Sequence, residues 1–266
     1  MSHRPRKRFG QNFLHDQGVI EHILNRVNPL PGERLVEIGP GQGALTSGLL
    51  GRVGALDAIE LDRDLIEPLK DRSAGLGELR LHNADALAYD FRQLRGAGPR
   101  LRLVGNLPYN ISTPLLFHLL GQADAVEDMH FMLQKEVVAR MAAGPGSKTY
   151  GRLSVMLQVS CEVSALFDIG PESFDPRPKV DSSLVRLVPL TTPLVAPAEM
   201  AGFSTLVAAA FAHRRKTLRN NLKAWLDDAQ INALGIDPAA RAESLAIPEF
   251  KRLHDARPQR TVARRP

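Results

Sequence analysis

A chain of 266 residues, 44% of them apolar, is long enough for a sizeable core in one large domain or in a large and a small one. One cysteine, Cys161, excludes an intramolecular disulfide, the basic N-terminus lacks the apolar stretch of a secretory signal, and no run nears the ~18 apolar residues of a membrane span, so a soluble cytoplasmic protein is expected. The net charge of +5 is unevenly placed: residues 1–189 balance at 22 Lys/Arg against 22 Asp/Glu, whereas 190–266 carry 12 against 7, the footprint of a polyanion partner.

Residues 1–15 read as a basic arm, in which Arg4, Arg6, Lys7 and Arg8 precede Phe9, Phe13 and Leu14 with polar Gln11 and Asn12 between them. Asp16 is placed to cap a helix that carries Val19, Ile20, Ile23, Leu24 and Val27 on one side and ends near Asn28-Pro29. A strand over 34–38, the turn Gly39-Pro40-Gly41-Gln42-Gly43 and a helix over 44–53 follow. Further strands are expected over 55–61, 79–85, 101–104 and 129–133, with helices starting at Arg63 and Ser112 and another over 134–143. Gly105 reads as the turn that ends the strand over 101–104. The Gly/Pro/Ser loop over 144–151 lacks the spacing of a phosphate loop, since Ser147 and not Lys follows Gly146. Segments 161–169 and 183–187 read as two strands closing the sheet, joined by a connection that Pro176 and Pro178 hold extended. Pro189, Pro193 and Pro197 mark a linker, and the pattern beyond it is helical over 199–212, 216–226, 238–244 and 248–254. The expected organisation is therefore an arm over 1–15, an α/β domain over 16–189, a small all-helical domain over 190–256 and a basic tail over 257–266.

Regular strand–helix alternation predicts a mostly parallel sheet flanked by helices, and right-handed crossovers then bring every strand's C-terminal end to one edge, where ligands bind. Gly39 with its glycine turn, Glu60, Asp85 and Asn106 follow at intervals of 21, 25 and 21 residues, about one strand–helix–strand step each, so all converge on that edge. Glycines let backbone approach a ligand closely. A carboxylate after the second strand can accept both hydroxyls of a ribose, and Asp85 can accept from the amino group of an adenine. The loop runs G-x-G-x-G rather than the dinucleotide fingerprint G-x-G-x-x-G, and a glycine loop alone leaves a NAD site as the rival. The acids Glu37, Glu60, Asp62 and Asp85 suit a cation better than a pyrophosphate, and S-adenosylmethionine, an adenosine bearing a sulfonium, is such a ligand.

Asn106-Leu107-Pro108-Tyr109 is an inventory for holding a planar base by its exocyclic amine. An adenine N6 is a poor nucleophile because its lone pair is delocalised into the ring. Two acceptors off the ring plane, the Asn106 side-chain oxygen and a backbone carbonyl near Leu107, can draw its hydrogens out of plane and aim the lone pair at an electrophile. Tyr109 can stack on the base, and Pro108 stiffens the corner. Phe211 to Lys223 holds Arg214, Arg215, Lys216, Arg219 and Lys223 with no acid, a block suited to phosphate.

Six blocks in order carry a resemblance: Lys7 to Leu14, Val36 to Gly41 with Glu60-Leu61-Asp62, Asn83-Ala84-Asp85, Gly105 to Ser112, Phe174 to Ser182, and Phe211 to Thr217. Together they resemble the ribosomal RNA adenine N6-dimethyltransferases, nearest to the bacterial small-subunit (16S) branch, over nearly the whole chain. The resemblance implies a class I, Rossmann-like methyltransferase fold, S-adenosylmethionine as cofactor, and dimethylation of two adjacent adenosines in small-subunit RNA during subunit biogenesis. It implies that Asn12 and Leu14 close over the cofactor, Gly39 borders its methionine end, Glu60 holds the ribose and Asp85 the adenine. Asn106 then touches both cofactor and target amine, and Phe174 sandwiches the target base against Tyr109. Arg6, Lys7 and Arg8 join Arg214, Arg215, Lys216 and Arg219 on the RNA. The implied partner is ribosomal RNA or an assembling small subunit, met by a monomer without metal or membrane. A second reading keeps the fold without the reaction, as an assembly or checkpoint factor on the immature subunit. A third is a relative acting on large-subunit RNA, which the blocks at Lys7 to Leu14 and Phe174 to Ser182 disfavour. Neither an H-E-x-x-H metal motif nor a G-x-S-x-G nucleophile elbow is present.

Overall fold

The structure, a computed structural model, describes residues 11–257. Within them, residues 11–138 and 162–189 make one unit, and 139–161 and 190–257 make a second.

In the first unit, strand Phe13–Leu14 (β1) precedes helix Gln17–Val27 (α1). Asp16 caps α1 by accepting from the Val19 N–H at 3.1 Å, and Asn28 ends it in the left-handed region at φ 45°. Ile20, Ile23, Leu24 and Val27 form its buried stripe. The alternation then runs Leu35–Ile38 (β2), Thr46–Val53 (α2), Ala55–Glu60 (β3), Ile66–Ser73 (α3), Glu78–Asn83 (β4), Phe91–Arg95 (α4), Leu101–Asn106 (β5), Ser112–Leu120 (α5) and Val126–Gln134 (β6). Lys135–Met141 (α6) follows, and after an excursion into the second unit the chain returns as Cys161–Ile169 (β7), Phe174–Asp175 (β8) and Ser182–Pro189 (β9).

Seven strands form one sheet in the order β4-β3-β2-β5-β6-β9-β7. β4, β3, β2, β5 and β6 are parallel, and β9 is antiparallel to β6. β2 is buried along its whole length, as expected of an interior parallel strand covered on both faces. Two buried aspartates pin the register. Asp57 on β3 meets Arg80 and His82 on β4 at 2.9 Å each, and Asp128 on β6 meets Arg102 on β5 at 3.0 Å and Arg186 on β9 at 3.2 Å. Burial pushes the Asp128 carboxyl up, and the Arg102 fork with its neighbours outweighs that to hold it below the ordinary range.

The second unit contains Arg152–Gln158 (α7), Met200–Ala210 (α8), Leu218–Leu222 (α9), Asp228–Ala233 (α10) and Ile247–Ala256 (α11). Its core gathers Tyr150, Val155, Met156 and Val159 with Phe203, Leu206, Val207, Leu218, Leu222, Ile231, Phe250 and Leu253. No helix among the described residues is long and apolar enough to cross a membrane.

Four expectations need correction. Residues 139–161 do not belong with the α/β domain expected over 16–189, because their apolar side chains bury among those of α8 and α11, and the Tyr150 hydroxyl donates to the Leu245 carbonyl at 2.9 Å. Gly105 is not a turn. β5 continues through Asn106, Gly105 lies opposite Phe131 of β6, and a Cβ there would come 2.4 Å from the Ile38 carbonyl oxygen, so the residue is small because strands approach closely. The arm ends in a strand, since β1 pairs antiparallel with β8 (Leu14 opposite Phe174) where an unpaired arm and an extended connection were expected. Residues 238–244 hold only a 3-10 turn at Ala242–Ser244, while α4, α7 and α10 were not anticipated. The rest of the arm through Gly10 and the tail from Pro258 lie outside the described residues.

Candidate active site

The C-terminal edge of the parallel strands opens on a cavity of about 260 Å³. Its wall includes the glycine turn after β2, Glu60 at the end of β3, Asp85 after β4, and Asn106 to Ile111 from the end of β5 onward, with Asn12, Phe13 and Leu14 from the far end of the sequence. Gly39 and Gly41 both sit at positive φ, 67° and 58°, a region that side chains disfavour. A Cβ on Gly41 would also meet the Phe13 ring at 3.1 Å, so β1 lies directly over the glycine turn.

Every described side chain of the lining that can carry a charge near neutral pH is a carboxylate: Glu37, Glu60 and Asp85. Glu60 is 6% exposed and accepts from the Asp62 N–H at 2.8 Å through Oε1 and from the Gly41 N–H at 3.0 Å through Oε2. Burial pushes its carboxyl upward while those two bonds oppose the shift. Glu37, deeper on β2, accepts from the Thr46 hydroxyl at 2.6 Å. Burial pushes the Glu37 carboxyl up to about 7 against that bond, with a further push from Glu60. Asp85 is exposed and accepts from the Leu87 N–H at 2.9 Å, which fixes its loop. Among the described residues no Lys, Arg or His lines the cavity. Among the described residues a pyrophosphate would find no cationic side chain, whereas a cationic, partly planar ligand meets carboxylates and an apolar wall that includes Ile38, Leu61, Ala86 and Met132.

The corner at the end of β5 is tightly defined. Asn106 Nδ2 donates to the Asn12 carbonyl at 2.8 Å. Because that carbonyl can only accept, the amide nitrogen must face it, and Oδ1 is left as the acceptor end of the side chain. The Leu107 N–H donates to the Met132 carbonyl at 3.3 Å, and the Leu107 side chain is buried. Tyr109 is half-buried, its hydroxyl is 2.7 Å from Ser182 Oγ on β9, and its carbonyl accepts from the Ser112 hydroxyl at 3.1 Å.

With this geometry in view, comparison with known proteins is decisive. Residues 2–256 match the family model described as "Ribosomal RNA adenine dimethylase". The chain belongs to the ribosomal RNA adenine dimethylase family. It is 58% identical to "Ribosomal RNA small subunit methyltransferase A" of Methylococcus capsulatus over 250 residues, 94% of this chain and 96% of that one. Among solved structures it is similar to a dimethyladenosine transferase from Plasmodium falciparum, with TM-score 0.76, 26% identity and coverage of 91% and 95% of the two chains. It shares the fold of the 23S rRNA methyltransferase ErmE, with TM-score 0.73, 24% identity and coverage of 92% and 99%.

The structure brings Asn12, Leu14, Gly39, Glu60, Asp85, Asn106, Leu107 and Tyr109 to one cavity. Phe174 is the exception. It is 3% exposed in an apolar cluster with Leu14, Leu24, Met132 and Ile169, and it is not on the cavity wall. Across the β1–β8 pairing it stands opposite Leu14, which does line the cavity. In the second unit, Arg214, Arg215, Lys216 and Arg219 are all exposed. Arg214 pairs with Glu243 at 2.9 Å and Arg219 with Asp228 at 2.7 Å, surface pairs weak enough to yield to a phosphate. Arg6, Lys7 and Arg8 lie outside the described residues. Sequence reasoning missed the Thr46 hydroxyl on Glu37, the Phe13 ring over Gly41 and the Ser182 contact to Tyr109. Phe13 was legible as an apolar residue of the arm, but nothing linear pairs Thr46 with Glu37 or Ser182 with Tyr109.

Proposed function

We infer that the chain transfers methyl groups from S-adenosylmethionine to the N6 of adenosines in small-subunit ribosomal RNA, taking two adjacent residues to dimethyladenosine. The observation that carries this reading is the junction of an acid-lined cavity with the Asn106-Leu107-Pro108-Tyr109 corner in one pocket. Family membership and the small-subunit relative support the substrate.

The cofactor, when bound, supplies an electrophilic methyl on its sulfonium. Glu60 would accept the ribose hydroxyls on the lone pairs that its Asp62 and Gly41 bonds leave over, and Asp85 would accept from the adenine amino group. The Gly39 turn would border the methionine end, with Asn12 and Leu14 covering the site. At the target, Asn106 Oδ1 and a backbone carbonyl near Leu107 would accept the two N6 hydrogens out of the ring plane, which restores a directed lone pair on that nitrogen. Tyr109 would stack on the base, worth about 1–3 kcal/mol. No general base is needed, since an amine nitrogen that has gained a methyl is acidic and sheds its proton to water or to Asn106. Arg214, Arg215, Lys216 and Arg219 would hold phosphates, and Arg6, Lys7 and Arg8 would add to them.

The test is mass spectrometry of nucleosides from small-subunit RNA of cells with and without the gene. Dimethyladenosine is expected in the first and absent in the second, and its persistence without the gene would overturn the assignment.

A further inference from the structure

Tyr109 carries the stacking surface that the corner offers the target base, so its orientation decides whether stacking can occur. Its ring axis is not set by β5, which ends at Asn106. The partner at the ring's far end is Ser182, whose Oγ lies 2.7 Å from the Tyr109 hydroxyl. Ser182 is 1% exposed and is the first residue of β9, opposite Gln134 of β6, so its backbone is locked into the sheet. The next residue reinforces this, since the Ser183 hydroxyl donates to Asp168 Oδ1 at 2.5 Å. A rigid, buried hydroxyl therefore clamps the tip of a ring whose body stands in the cavity wall.

We propose that Ser182 is a positioning residue for methyl transfer, holding the Tyr109 ring at the angle at which a flipped adenine stacks on it. The inference rests on the function assigned above and adds a residue to it. A half-buried tyrosine commonly finds a hydroxyl partner for its own sake, and that alone would make the contact one of stability. The clamp reading differs in what it moves. Loss of a neutral hydrogen bond that acts on the reacting geometry lowers turnover by up to about tenfold and leaves cofactor affinity untouched.

The experiment compares full-length wild type, Ser182→Ala, Tyr109→Phe and the double variant. Readouts are cofactor affinity by calorimetry, melting temperature, and turnover on under-methylated small-subunit particles. Tyr109→Phe keeps the stacking face and removes only the hydroxyl, so it tests the same bond from the other end should Ser182→Ala fold poorly. The expected result is a similar fall in turnover in both single variants, close to tenfold, no further fall in the double variant, and unchanged cofactor affinity. Wild-type turnover in Tyr109→Phe, or losses that multiply in the double variant, would overturn the proposal. Wild-type protein that neither binds the cofactor nor methylates the particles would instead overturn the function on which it rests.

Discussion

Single side chains at the cavity do separable things, and the geometry says which measurement sees each. Asn106 is held by the Asn12 carbonyl with its oxygen as the acceptor end. Asn106→Ala is expected to bind S-adenosylmethionine and RNA yet lose turnover on the order of a hundredfold, the scale of removing one preorganised polar group from a reacting centre; near-normal turnover would take Asn106 out of the chemistry. Glu37 behaves differently because its carboxyl is pushed up to about 7 by burial. A carboxyl whose folded value exceeds its unfolded one contributes stability that is complete below the unfolded value and is lost as pH rises through the folded one. Stability of the free protein should therefore fall between about pH 4.5 and 7, by up to about 3 kcal/mol from this group. Glu37→Gln should remove that loss, so denaturant titrations of the two proteins should diverge as pH rises to 7 and run parallel above it. Curves that stay parallel throughout would mean that Glu37 ionises freely. At this scale the sequence was informative about which residues converge, because strand ends recur at intervals of a βαβ step. It was silent about Thr46 on Glu37 and Ser182 on Tyr109, pairs of residues 9 and 73 positions apart that no local pattern encodes.

Elements carry the next level of control. β5 runs through Asn106 only because Gly105 lets it pass the Ile38 carbonyl, where a Cβ would stand 2.4 Å away. Gly105→Ala should cost about 1–3 kcal/mol of stability, as overpacking between fixed backbones does; calorimetric melting will show it, and an unchanged melting temperature would mean that the strands separate easily. The sequence offered Gly105 as a turn residue, since a glycine at a strand end and a glycine in a crowded strand look alike until the neighbouring strand is placed. The segment between α8 and α9 presents exposed Arg215 and Lys216, for which no ion-pair partner occurs among the described residues. Changing both to Glu should weaken RNA binding and flatten its dependence on log salt by roughly 1.4–1.8, about 0.7–0.9 for each phosphate that is no longer neutralised. An unaltered slope would make them a solvated surface only.

The whole molecule answers a question of boundaries. Residues 139–161 leave the α/β unit and bury Tyr150, Val155, Met156 and Val159 in the helical one. Cutting the chain after Pro189, a boundary that the proline linker suggests, would strip these four side chains of their core. Such a truncated protein should bind a hydrophobic dye and aggregate; a soluble fragment that melts cooperatively without dye binding would show that 139–161 can be covered another way. What the sequence determined by itself was the α/β alternation, the capped α1, the helical character of the last quarter and the set of residues at the strand tips. These are properties of local periodicity, and local periodicity is written in neighbouring residues. Only the tertiary structure decided which core claims residues 139–161, that β1 pairs with β8 and Phe174 is buried beside it, and that a serine on β9 meets the Tyr109 hydroxyl. Each of those outcomes is a competition for burial or for a hydrogen-bond partner among segments far apart in the chain, and it is settled by packing in three dimensions.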